Sequence, residues 1–151
     1  MFDLITLEAN KNGLDPYLVY AIVLTETNGN AYAVRYEPNF KWIVKPEMFA
    51  IPLSLSMETE TLCQKMSWGY MQIMGAVARQ YGFKSHIPEL TSPQTGLAYG
   101  CQHLAALKKK YPEMSDYIAA YNAGSPRKYD GKYSNQSYVD KVLSRYASVK
   151  K

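Results

Sequence analysis

Cysteine is nearly absent from this chain. Cys63 and Cys101 are the only two in 151 residues, and their spacing fits no metal-binding motif. Two buried free thiols and one disulfide agree equally with that spacing. No stretch approaches the ~20 apolar residues that a membrane-spanning helix needs, so no transmembrane segment is expected. The start, Met1-Phe2-Asp3-Leu4, has no basic residue and no apolar run of export-signal length. That predicts a product without a signal peptide, held in the cytoplasm of the producing cell until it is released. Histidine is scarce too: His86 and His103 stand too far apart and too poorly accompanied to suggest a metal, so neither metal nor cofactor is predicted. Charge of one sign is not concentrated either. The 17 Lys and Arg exceed the 13 Asp and Glu by four. The densest cluster, Lys108, Lys109 and Lys110, reads as a solvated helix C-terminus, where cations are favoured. Nucleic acid is therefore not an expected partner, while a mild positive field suits association with some other anionic polymer.

What remains is an ordinary globular balance, 47% hydrophobic and 20% charged, at a length that predicts one domain over residues 1–151 and a monomer. Tyrosine is in excess, with 14 residues against 4 Phe and 2 Trp. A tyrosine ring fills a half-wet core margin, or it stacks on a sugar face while its hydroxyl bonds sugar hydroxyls. The periodicity is helical. Asp3 opens a first helix that Gly13 stops. Asp15-Pro16 is a cap followed by proline at the first helical position. Residues 17–24 are apolar almost all round, the mark of a buried central helix, which ends at Glu26-Thr27 before Asn28-Gly29-Asn30. Pro38, Pro46 and Pro52 break the stretch from 31 to 66 into a long irregular insert, with one short helix expected near 58–65. Ser67 is placed to cap a helix carrying Tyr70, Met74, Val77, Ala78 and Tyr81 on one face, stopped by Gly82. Ser92-Pro93 opens a further helix that Pro112 closes, and Ser115 caps a short one ended by Gly124. Residues 125–134 read as a polar loop, and Tyr138, Val139, Val142, Leu143 and Tyr146 mark a final helix. The expected fold is all-α or nearly so, a single domain of about six helices with no convincing sheet.

Glu26 is the residue with chemistry in it. A carboxylate at a helix C-terminus meets the negative end of the macrodipole, and beside apolar neighbours it is also desolvated. Both effects raise its pKa. A group still protonated near neutral pH is what a glycosidase needs to protonate a leaving oxygen. The plainer alternative is a capping residue that reaches into water.

Three short motifs decide between these readings. Glu26-Thr27 ends its helix, Gly69-Tyr70-Met71-Gln72 follows with Ile73-Met74, and Ala120-Tyr121-Asn122-Ala123-Gly124 comes later. In type and order they resemble the SLT-type lytic transglycosylases, the goose-lysozyme-like branch of the lysozyme superfamily. The segment with Gly100 and Leu104 and the closing Tyr138-Val139 with Val142 fit the same family, so the resemblance covers about residues 14–146. It implies a lysozyme-like fold and a peptidoglycan glycan strand as partner, held in a long groove with Glu26 near its middle. It implies cleavage of the β-1,4 bond between N-acetylmuramic acid and N-acetylglucosamine, leaving 1,6-anhydro ends. By the same resemblance Glu26 is the catalytic acid and base, and Gln72 bonds a sugar N-acetyl or hydroxyl group. Tyr121 and Asn122 line the cleft, with Tyr121 helping to hold the acid in place; Tyr70 and Ser67 join the sugar-facing set, and Tyr138 either contacts sugar or helps seal the final helix. Trp68 is placed either at the cleft mouth or in the core, and Trp42 in loop packing.

The sequence also departs from the family. The proline and serine usual after the Glu-Ser pair are missing, and the insert between Arg35 and Met66 is long. Arg35-Tyr36-Glu37-Pro38-Asn39-Phe40 resembles segments of some phage-borne muramidases. Glu37 is therefore a candidate second catalytic carboxylate that activates water for plain hydrolysis. The alternative for Glu37 is a surface pair with Arg35. A non-catalytic glycan-binding module is the third reading. A compact wall-degrading chain without an export signal suggests a phage lysin, or a virion component, that acts on the wall after release.

Overall fold

The computed structural model describes residues 1–151, and helices dominate it. The chain folds as two compact units. One is discontinuous, residues 1–28 and 101–151, and the other is the stretch 29–100 between them. No helix is long and apolar enough to cross a membrane.

The discontinuous unit is built on α1 (Phe2–Lys11), α2 (Pro16–Thr27), α7 (Met114–Ala123) and α8 (Gln136–Val149). Helix α2 starts where Asp15-Pro16 predicts it, with the Asp15 carboxylate accepting the Tyr17 amide at 2.9 Å. Its apolar run buries Leu18, Val19, Ala21, Ile22 and Val23, and α1 and α8 pack against it. Helix α8 is bolted to α2 at both ends. Tyr146 and Lys150 reach Asp15 at 2.6 and 3.1 Å, and Tyr138 reaches Glu26 at 2.7 Å. Residues 125–134, expected as a polar loop, instead carry a hairpin, β4 (Lys128–Tyr129) and β5 (Lys132–Tyr133). Asp130 and Gly131 turn it with positive φ at both central positions, the geometry favoured by a two-residue hairpin. Tyr133 ties the hairpin to Asp116 on α7 at 2.5 Å.

The enclosed unit differs most from expectation. It holds β1 (Val34–Tyr36), α3 (Glu47–Ala50), α4 (Met57–Gln64), β2 (Met66–Trp68), β3 (Ile73–Met74), α5 (Gly75–Gln80) and a 3-10 turn at Ile87–Thr91. Helix α4 falls where the short helix was expected, capped by Ser56 on the Thr59 amide. The helix expected from Ser67 does not form before residue 75. Residues 66–74 are two strands of an antiparallel sheet of order β1-β2-β3. The reason lies at Gly69 and Gln72, whose φ values of 70° and 50° close a turn in which the Gln72 amide bonds the Gly69 carbonyl at 3.1 Å. A Cβ at Gly69 would lie 2.4 Å from the Leu90 carbonyl oxygen, so no other residue fits. Trp68 belongs to the core, 6% exposed among Ile73, Ala78, Phe83, Ile87 and Leu90. A fully buried ion pair holds the far side of this unit. Arg79 bonds Glu60 at 2.8 and 2.9 Å and the carbonyls of Phe83 and Ser85, with its guanidinium 4.3 Å from the Phe49 ring.

Helix α6 (Pro93–Lys110) joins the two units, contributing its first turns to one and the remainder to the other. Both cysteines are free thiols, and burial pushes Cys101 up to about 12.

Candidate active site

Glu26 occupies the last turn of α2, and Asn28 ends the helix in the left-handed region at φ 51°. It is half-buried at the end of a helix whose preceding residues are core. The macrodipole is negative there, and a hydrogen-bond donor comes from another helix. The Tyr138 hydroxyl, in the first turn of α8, donates to Glu26 Oε1 at 2.7 Å. That length is typical of a hydroxyl on a carboxylate. The Tyr138 pKa lies well above the ordinary tyrosine value. Burial is the main cause, followed by the Glu26 charge, the hydrogen bond to it, and Tyr121. Tyr138 thus keeps its proton at any working pH and is a permanent donor to Glu26.

Tyr121 is the second aromatic on this unit's site, close enough to Tyr138 to oppose its ionisation. Its ring lies 5.5 Å from that of His103. Burial pulls the His103 pKa down from 6.5 to about 4, so a neutral imidazole supports Tyr121 at neutral pH. Asn122 is exposed, and its Oδ1 accepts from Asn135 Nδ2 at 2.9 Å. Asn135 also donates to the Ala119 carbonyl at 3.0 Å. Asn135 thereby fastens the end of α7, with its Ala-Tyr-Asn-Ala-Gly motif, to the start of α8, three residues before Tyr138. Sequence reasoning missed Asn135. Its one signal was an Asn just before the final helix, a residue type suited to a cap.

In the enclosed unit Ser67 and Gln72 come together. Ser67 is buried, and its hydroxyl donates to Gln72 Oε1 at 2.8 Å. Gln72 Nε2 donates to the carbonyls of Ala33 and Gly69 at 3.0 and 3.1 Å. The Gln72 amide therefore ties the 69–72 turn to the residue before β1, with Tyr70 half-buried at the centre of that turn. Glu37 stands just after β1 in the same unit, two residues from Arg35, whose carbonyl accepts from Ser67 Oγ at 3.4 Å. Arg35 Nε donates to Glu37 Oε1 at 2.5 Å, and the Glu37 amide bonds the Lys65 carbonyl. The Arg35 side chain of this pair is 72% exposed and that of Glu37 32%. Trp42, expected in loop packing, stands out in solvent, 69% exposed.

Residues 3–143 match the family model described as the transglycosylase SLT domain. No curated protein matches the chain.

Proposed function

This chain belongs to the transglycosylase SLT family, whose members cleave peptidoglycan, and on that premise we propose that it is a lytic transglycosylase with Glu26 as its single acid and base. The bond cleaved in this reading is the β-1,4 linkage from N-acetylmuramic acid to N-acetylglucosamine. Glu26 gives its proton to the glycosidic oxygen as the C1–O bond breaks. The muramic C6 hydroxyl then bonds to C1 and returns its own proton to the Glu26 carboxylate. No water is consumed, one 1,6-anhydro end and one free 4-hydroxyl result, and the acid is restored.

The observation that carries this reading is the Tyr138–Glu26 hydrogen bond at the end of a buried helix. The Tyr138 hydroxyl is a donor that holds the carboxyl group from which the proton is given. It also supports the anion formed when that proton leaves. Tyr121 and Asn122 are assigned to the sugar. Ser67 and Gln72 spend their polar groups on the 69–72 turn, so their part is to present Tyr70. Glu37 is held by Arg35, which favours the one-carboxylate mechanism over hydrolysis through a second carboxylate.

Mass spectrometry of products released from purified peptidoglycan tests the reaction. Products one water lighter than hydrolysis products are expected, and reducing ends would transfer the argument to Glu37. Glu26→Gln removes the proton while keeping shape, and should lower turnover about 10²–10⁴-fold with glycan binding retained. Loss of binding with turnover surviving would refute the assignment.

A further inference from the structure

Trp42 stands on a loop built to keep it in place. The residue two positions on, Val44, has both backbone groups taken by the buried amide of Gln64. The Val44 N–H donates to Gln64 Oε1 at 2.7 Å, and Gln64 Nε2 donates to the Val44 carbonyl at 2.8 Å. Gln64 Nε2 also donates to Glu60 at 2.9 Å, and Glu60 is locked by Arg79. On the near side of the tryptophan the Ile43 amide bonds the Lys41 carbonyl at 3.1 Å, and the Phe40 amide bonds that of Glu37 at 3.1 Å. The Phe40 ring meets the Trp42 ring edge-on, with centroids 5.8 Å apart at 66°. A polar network of the buried side chains Gln64, Glu60 and Arg79 thus ends on the Val44 backbone, two residues from a tryptophan that is itself 69% exposed. Core packing does not require that arrangement, since the Trp42 ring is not in the core.

We propose that the Phe40–Trp42 pair is a saccharide-binding platform, on which a pyranose ring of the peptidoglycan strand stacks. The inference rests on the peptidoglycan reading above. A broad, flat, apolar indole face matches the C–H face of a pyranose, and it needs no ordering on binding because the loop is already fixed. Lys41 and Lys45, both exposed, flank Trp42 in the sequence and carry the charge that complements the carboxylates of the peptides that peptidoglycan bears. The platform adds affinity for the polymer and leaves bond cleavage in short fragments unaffected.

The test uses the full chain carrying Trp42→Ala or Trp42→Phe, alone and in the Glu26→Gln background, with folding checked by circular dichroism. In that background Trp42→Ala should weaken sedimentation with purified sacculi about tenfold, and Trp42→Phe should keep most of the affinity. With Glu26 intact, kcat/KM on the shortest soluble fragment that the wild type cleaves should not change with either substitution. Equal affinity of the wild type and Trp42→Ala for sacculi would overturn the proposal. So would retained sacculus binding with lost binding to anionic phospholipid vesicles, which assigns the face to lipid, or with a dissociated dimer, which assigns it to a second copy. If the wild type binds sacculi through Trp42 but cleaves nothing, the enzymatic reading fails and the platform stands. If cleavage is intact and Trp42→Ala is indistinguishable from the wild type, the platform fails alone.

Discussion

Tyr138→Phe isolates the contact on which the proposed acid depends. The substitution keeps the ring and removes only the hydroxyl that donates to Glu26 at 2.7 Å, so no cavity opens. A hydrogen bond to a charged group is worth about 1.5–3 kcal/mol. In the proposed mechanism Glu26 starts as the acid, and the bond is weaker while it holds its proton. It strengthens as the proton moves to the leaving oxygen and the carboxylate emerges. The contribution is therefore differential, and it appears in kcat rather than in KM. If all of it were expressed, turnover would fall about 10- to 150-fold. A carboxylate only partly formed at the transition state puts the expected loss nearer the lower end of that range. The assay is steady-state kinetics on soluble peptidoglycan fragments, with anhydro products separated by chromatography. In the Glu26→Gln background the same substitution should cost nothing further, because its target is gone. A kcat within about twofold of the wild type would refute the reasoning. A raised KM at constant kcat would mean that Tyr138 holds sugar rather than the acid.

Two further outcomes follow from the fold. Gly69→Ala forces a side chain into a φ of 70° and a Cβ to within 2.4 Å of the Leu90 carbonyl oxygen. Thermal or urea unfolding should show a loss of about 2–4 kcal/mol, and a loss under about 0.5 kcal/mol would mean that the turn relaxes freely. His103 links stability to pH. Its folded pKa of about 4 lies below the unfolded 6.5, so between those values the unfolded chain binds the extra proton. Stability is complete above pH 6.5 and falls as pH drops toward 4, by up to about 3 kcal/mol from this residue. Denaturation curves of the wild type and His103→Gln should diverge across that window, and parallel curves would show that His103 titrates normally.

Much of the local structure of the candidate site was legible because its signals are local. Asp15-Pro16 announces α2, the apolar run announces its burial, and Glu26 follows as a carboxylate where the macrodipole disfavours one. The mostly helical architecture was legible in the same way. The stretch 67–74 was not. Ser67, Tyr70 and Met74 obey helical spacing, and nothing nearby in sequence reveals that residues 34–36 pair with 66–68 or that Gln72 reaches back to Ala33. Strand pairing over such separations leaves no periodic trace in segments of two or three residues. Gly69 was the usable clue, since a glycine just inside a helix of that pattern is unfavourable. Arg79 was illegible for a related reason. An arginine on a short amphipathic helix reads as solvated, and only the fold brings Glu60 within 3 Å of it.

The two units spend their buried polarity differently, and the difference bears on function. In the discontinuous unit the long-range side-chain bonds run between helices, and one of them ends on Glu26. Asp15 takes Tyr146 and Lys150 at one end of α2, Glu26 takes Tyr138 at the other, and Asn135 joins α7 to α8 beside it. A displacement of α8 along α2 would have to break both ends together. The Glu26–Tyr138 distance is therefore set by the whole helix pair rather than by a loop, the support that the proposed proton donor would need to stay within reach of its target. In the enclosed unit the buried ion pair serves the backbone instead, fixing the Phe83 and Ser85 carbonyls directly and Val44 through Gln64. Replacing a buried pair with apolar residues is often neutral or stabilising, so stability alone is a weak reason for this one. What the pair does here is hold irregular chain in one conformation, and the side chain displayed beside that fixed segment is Trp42. Under the proposed function, paired helices would present the acid and a held loop the indole, the division of labour expected of an enzyme that must both grip an insoluble polymer and cut it.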